Sequence, residues 1–132
     1  MKSAALHRPI LLVHPDRSEA ELLIEKLKAS GVSRPILWRR DRFDACDYLA
    51  AAEIGGDERY MPCAVLLDEQ LGASETQAFA DWVRAMPSLG TIHLIMLTSE
   101  TDGGRSAPPQ AGIERRSEIN AVAGILARAC DF

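Results

Sequence analysis

Three apolar runs in this sequence end on polar side chains. In "AVLLDEQL", residues 64–71, four apolar residues lead straight into Asp68. "ILLVHPD", residues 10–16, passes from a similar run into His14, Pro15 and Asp16, and "IHLIMLTS", residues 92–99, ends on the hydroxyls of Thr98 and Ser99. A charge at the end of a buried strand is costly unless something pairs with it. These positions therefore argue for one site, where a carboxylate, an imidazole and a hydroxyl meet at the carboxyl edge of a sheet.

The elements that would position them alternate. Pro9 to Val13 reads as a first strand, and Ala20, Leu23 and Leu27 recur at helical spacing behind it, with Ser18 and Glu21 forming a capping box. Pro35 to Trp38 reads as a second strand. Asp41 is placed to cap the following helix, whose inner stripe is Phe43, Cys46 and Leu49 or Ala50. Ala64 to Asp68 is the third strand, and Ser74 with Gln77 opens a helix carrying Ala78, Trp82 and Val83 inward. "TIHLIMLTS" is the longest β-like run, apolar on both faces as a central strand would be.

From Glu100 to Ala111 the alternation falters, because paired glycines and paired prolines oppose a helix. That crossover is expected to be loop with at most one helical turn. "GIER" is a weak fifth strand, and a final helix carries Ile119, Val122, Leu126 and Ala129 on one stripe, capped by Ser117. The pattern predicts an α/β fold: a doubly wound five-stranded parallel sheet with the fourth crossover helix short or missing. Ligands of such sheets sit outside the carboxyl ends of the strands. Asp68, His14, Asp16 and Thr98 all fall there.

The 132 residues suit one domain, 1–132, with a short tail at 1–8 and no appended output domain. Fifteen basic against nineteen acidic residues give a net charge of -4, without a basic run, so neither nucleic acid nor an anionic membrane is expected as a partner. No signal peptide or membrane span is evident, and a cytoplasmic protein is expected. Cys46, Cys63 and Cys130 show no CxxC spacing, and reduced, mostly buried thiols are expected. No GxGxxG, P-loop or nucleophilic triad context is present to support a flavodoxin-like small-molecule binder or another enzyme, though the fold would admit either.

"ILLVHPDRSEAELL", "AVLLDEQL" and "IHLIMLTS" together resemble the first, third and fourth strand motifs of the response regulator receiver domain of two-component signalling. The resemblance spans nearly the whole chain apart from Glu100 to Ala111. It implies a flavodoxin-like receiver fold in which Asp68 is the phosphoacceptor, Thr98 the switch hydroxyl, and Arg115, or alternatively Arg116, the replacement for a phosphoryl-contacting lysine. It also implies a histidine kinase or another signalling protein as partner, and no enzymatic activity beyond self-phosphorylation and autodephosphorylation at Asp68.

The sequence departs from that family at the metal site. Its acidic pair should follow Val13 directly, where His14 and Pro15 stand instead, and no insertion is needed to keep the register. Asp16 is the one nearby acid that could join Asp68 on a weakly held Mg²⁺, or else it caps the first helix. His14 could ligate a softer metal, or serve as a charge partner of Asp68. A divergent receiver is expected, signalling mainly through protein contacts, with phosphorylation weakened or lost. The alternative is a working phosphoacceptor. An uncovered flank beside the faltering crossover would favour a homodimer or a dedicated partner there.

Overall fold

The computed structural model describes residues 8–56, 58–89, 92–98, 114–116 and 119–130. In chain order these form β1 (Ile10–Val13), α1 (Arg17–Ala29), β2 (Ile36–Arg39), α2 (Arg42–Gly55), β3 (Ala64–Asp68), α3 (Ala73–Ala85), β4 (His93–Leu97), β5 (Glu114–Arg116) and α4 (Ile119–Cys130). The described strands make one parallel sheet in the order β2-β1-β3-β4-β5. The expectation of a short or missing fourth crossover helix falls on residues outside those described.

Continuous apolar runs became strands because both sheet faces are covered. Ile10 and Leu12 pack with Leu66, Ile95 and Leu97 under α1 and α4. Leu11 and Val13 pack on the other face with Val65, Leu67 and Met96 under α2 and α3. All four residues of β1 and the first four of β3 are fully buried, which makes these adjacent strands the centre of the fold.

Local chemistry sets the helix starts. Asp41 caps α2 as expected, accepting from the Asp44 backbone N–H at 2.9 Å. At α1 the expected Ser18–Glu21 box gives way to Asp16, whose Oδ1 accepts from the N–H groups of Ser18 and Glu19 at 2.9 and 3.2 Å. Pro15 favours an extended backbone at His14, and Asp16, itself extended, supplies the capping carboxylate. Glu21 pairs instead with Arg17 on the surface. Helix α3 begins at Ala73, and its inner face is Thr76, Phe79, Ala80 and Val83, rotated from the expected stripe. Phe43 lies on the outside of α2, with the Arg42 guanidinium 4.1 Å over its ring, while Ala45, Leu49 and Ala52 face inward.

The amino edge of the sheet corrects the expectation of reduced thiols. Cys63, just before β3, and Cys130, the last residue of α4, form a disulfide across 67 residues of sequence. Neither residue carries a local spacing motif, and only the packing of α4 beneath β3 brings them together. Closing a loop of this length is worth about 4 kcal/mol on the chain-entropy account. Buried Arg34 adds hydrogen bonds to the carbonyls of Cys130 and Arg8, and Arg8 donates to those of Met61 and Pro62.

Leu66 tests this division, since it is fully buried in the central strand on the α1/α4 face. Leu66→Ala is expected to lower unfolding free energy by about 3 kcal/mol in a urea titration.

Candidate functional site

The chain leaves β1 toward β2 and leaves β3 toward β4, so a crevice opens where the carboxyl ends of β1 and β3 lie side by side. His14 follows β1 and Asp68 closes β3. The imidazole Nε2 stands 3.4 Å from Asp68 Oδ2 and 3.6 Å from Glu19 Oε1.

The backbone fixes His14 on three sides. Its N–H donates to the Arg39 carbonyl at 3.0 Å, its carbonyl accepts from the Trp38 indole N–H at 2.8 Å, and its side chain is 1% exposed. The third constraint sets its chemistry. Nδ1 accepts from the Asp16 backbone N–H at 3.0 Å, a contact that requires a lone pair on that nitrogen. The hydrogen-bond pattern therefore assigns the ring hydrogen of the neutral imidazole to Nε2, the atom facing Asp68.

Asp68 is held from the other side by its own turn. Its Oδ1 accepts from the Gln70 N–H at 2.9 Å, at the start of the turn Glu69–Leu71. Gln70 also donates through its side chain to Glu19 Oε1 at 2.9 Å. Burial pushes the Asp68 carboxyl above its ordinary value; the Gln70 N–H and His14 pull it back, and nearby Glu19 raises it again. Glu19 and Gln70 were not singled out in the sequence. Gln70 has a local signal in the Asx turn that an Asp offers to the N–H two residues on, whereas no spacing rule points to Glu19.

Thr98 is half-buried and directly follows Leu97, the register partner of Asp68. It thus lies on the same edge, one strand away. β5 lies a further strand out, and its register sets Arg116 level with Leu97 and Asp68, and Arg115 level with Met96 and Leu67. The row containing Asp68 thus runs to Arg116, not to the Arg115 preferred from sequence.

This donor set does not suit Mg²⁺, which takes a near-octahedral shell of oxygens. An imidazole N–H occupies the approach to Asp68. Nor is the ring arranged as a ligand for softer metals, because a ligating histidine gives its second N–H to an acceptor, and Nδ1 of His14 meets a donor. Asp16, the other expected ligand, has its Oδ1 committed to the α1 cap. Among the described residues, no group of three His, Cys, Asp or Glu could hold a metal ion.

No protein-family model matches the sequence, and no curated protein is similar to it. Solved structures are similar to it along nearly its full length. The receiver domain of the sensor histidine kinase PA1611 from Pseudomonas aeruginosa PAO1 gives a TM-score of 0.68 at 21% identity, covering 96% of this chain and 99% of that one. The signal receiver domain of a DNA-binding response regulator from Colwellia psychrerythraea 34H gives 0.65 at 16%, covering 95% and 99%. The fold is that of response regulator receiver domains. The bacteriophytochrome response regulator AtBRR has the same receiver fold, with a TM-score of 0.63 at 26% identity, covering 94% of this chain and 91% of its own. The PA1611 receiver domain coordinates a magnesium ion in its active-site cleft. In the present chain His14 and Pro15 directly follow β1.

The raised Asp68 carboxyl fixes the sign of a pH effect. Between the ordinary value of 3.8 and the raised folded one, the native state binds more protons than the unfolded chain, so this residue's contribution to stability falls as pH rises through the folded value. Asp68→Asn is expected to be more stable than the parent at neutral pH, with the gain shrinking as pH falls toward 3.8. Urea titrations of both proteins across that range check it.

Proposed function

We propose that this protein is a divergent receiver that works in phosphorelay signal transduction mainly through protein contacts, with Mg²⁺-dependent phosphorylation of Asp68 weakened or lost. The observation that carries this reading is the His14 Nε2–H standing 3.4 Å from Asp68 where the family's acidic pair would begin. Phosphoryl transfer to a carboxylate depends almost wholly on positioning and charge neutralisation. Losing two carboxylates together with the dication they hold leaves the resting charge of such a site unchanged. It does not leave the reacting site unchanged, because an incoming phosphoryl group adds negative charge that a neutral imidazole cannot offset.

On this reading Asp68 is a retained acceptor position, Thr98 the hydroxyl beside it, and Arg116 or Arg115 the cation in place of the lysine. The protein is not an enzyme beyond any transfer to and from its own aspartate. It acts in the cytoplasm, and its partner is a histidine kinase or another signalling protein, or a second copy of the chain. No helix of the described residues is long and apolar enough to cross a membrane.

Incubation with a small phosphodonor and Mg²⁺, followed by intact-mass measurement, tests the proposal. The parent protein is expected to gain no phosphoryl group, whereas His14→Asp combined with Pro15→Asp is expected to gain one that Asp68→Ala then removes. One restored charge contact of about 4 kcal/mol would correspond to roughly a thousandfold in rate. Ready phosphorylation of the parent, abolished by Asp68→Ala, would instead establish a working phosphoacceptor.

A further inference from the structure

Helix α2 lacks a polar outer side. Its inner face is Ala45, Leu49 and Ala52, yet Phe43, Ala51 and Ile54, turned away from the sheet, are apolar and exposed, Ile54 at 86%. A helix that is apolar all round is ordinarily covered on both sides. Among the described residues nothing covers the outer side of this one.

A notch lies beside Ile54. The turn Glu58–Tyr60 runs back along α2, where the Tyr48 hydroxyl donates to the Tyr60 carbonyl oxygen, and it leaves about 200 Å³ of space lined by Tyr48, Ala51, Ala52, Gly55 and Tyr60. Two phenol rings form the walls and small residues the floor. With the Tyr48 hydroxyl already engaged and no polar side chain in the floor, the notch suits an aliphatic group.

The geometry of the patch points to a second copy of the chain as the occupant. Ile54 and the middle of the notch stand roughly 100° apart around the helix, and Ile54 falls within the notch's span along the axis. A two-fold axis parallel to α2 and beside Ala51 exchanges these two sides without changing height, so each Ile54 meets the other copy's notch. Charge follows the same rule. The Arg39 guanidinium lies 4.9 Å over the Tyr48 ring, which puts a cation on the notch wall. Asp47, exposed and in no ion pair among the described residues, puts an anion on the Ile54 side. The axis that seats Ile54 also brings Asp47 of one copy toward Arg39 of the other, and such self-complementarity is what an isologous interface requires.

We propose that α2 is a dimerisation face, on which two copies pack with their α2 helices parallel and Ile54 of each seated in the notch of the other. This face packs on β1 and β2, at the opposite end of the sheet from β5 and the faltering crossover. It stands whether or not Asp68 accepts a phosphoryl group, and its readout, mass in solution, is independent of that assay. A single face of a 14-residue helix belongs at the small end of specific interfaces, so the dimer is weak and concentration-dependent.

Sedimentation velocity of the full chain from roughly 1 μM to 1 mM tests it, since that range brackets the affinity of a weak interface. The parent is expected to pass from monomer to dimer. Ile54→Lys is expected to stay monomeric throughout with unchanged circular dichroism, because so exposed a side chain contributes little to the fold. Asp47→Arg should weaken association about tenfold, and adding Arg39→Asp should restore it. In a Cys46→Ser background, Ala51→Cys, beside the two-fold axis, is expected to link two copies under mild oxidation, whereas Arg128→Cys on the exposed side of α4 is not. A strict monomer over the whole range, a dimer indifferent to Ile54→Lys, or linkage through Arg128→Cys in preference to Ala51→Cys would each overturn the proposal.

Discussion

The crevice is organised by one hydrogen atom, the one that the Asp16 backbone N–H forces onto Nε2 of His14. A main-chain donor at Nδ1 fixes the tautomer, the tautomer fixes a donor toward Asp68, and a donor in that place leaves little for a cation to do. Pro15 contributes by keeping the backbone at His14 extended, so that the chain turns into α1 only at Asp16. That same residue then caps the helix. Three consecutive residues thus define both the start of α1 and the chemistry of the crevice.

Asp68 is held in a way that complements this. A carboxylate so largely buried would cost about 1–3 kcal/mol or more if its oxygens lacked partners. Oδ1 has the Gln70 N–H, and Oδ2 faces the imidazole. Glu19 closes the circuit from α1 by accepting from the Gln70 side chain while standing near the same imidazole nitrogen. The post-β1 segment, α1 and the post-β3 turn are thereby joined through side chains alone.

Much of this was legible in the sequence, and what was hidden has physical causes. Buried strands announce themselves as unbroken apolar runs, so β1 and β3 were readable to within a residue and β4 to within two, as was the Asp41 cap, a purely local device. The capping box at Ser18 and Glu21 gave way to Asp16, whose carboxylate two residues earlier takes the N–H groups of both Ser18 and Glu19. Phe43 suggested an inner stripe by its size, yet stacking under Arg42 lets it lie outside. The cysteine pair was invisible because its closeness depends on α4 settling beneath the sheet. The tautomer of His14 was equally hidden, since no spacing rule says which ring nitrogen will meet a backbone N–H.

Trp38 gives the crevice a mechanical character of its own. It belongs to β2, an edge strand whose residues are only half-buried, and edge strands ordinarily fray at their ends. Its indole nitrogen stitches the neighbouring strand's exit at the carbonyl of His14, while the ladder itself continues one bond further through Arg39. The segment after β1 is thus tied to the edge strand through both its N–H and its carbonyl. A peptide that would otherwise breathe with the surface is pinned from the flank by an aromatic rivet, and the imidazole it carries inherits the stillness of the core.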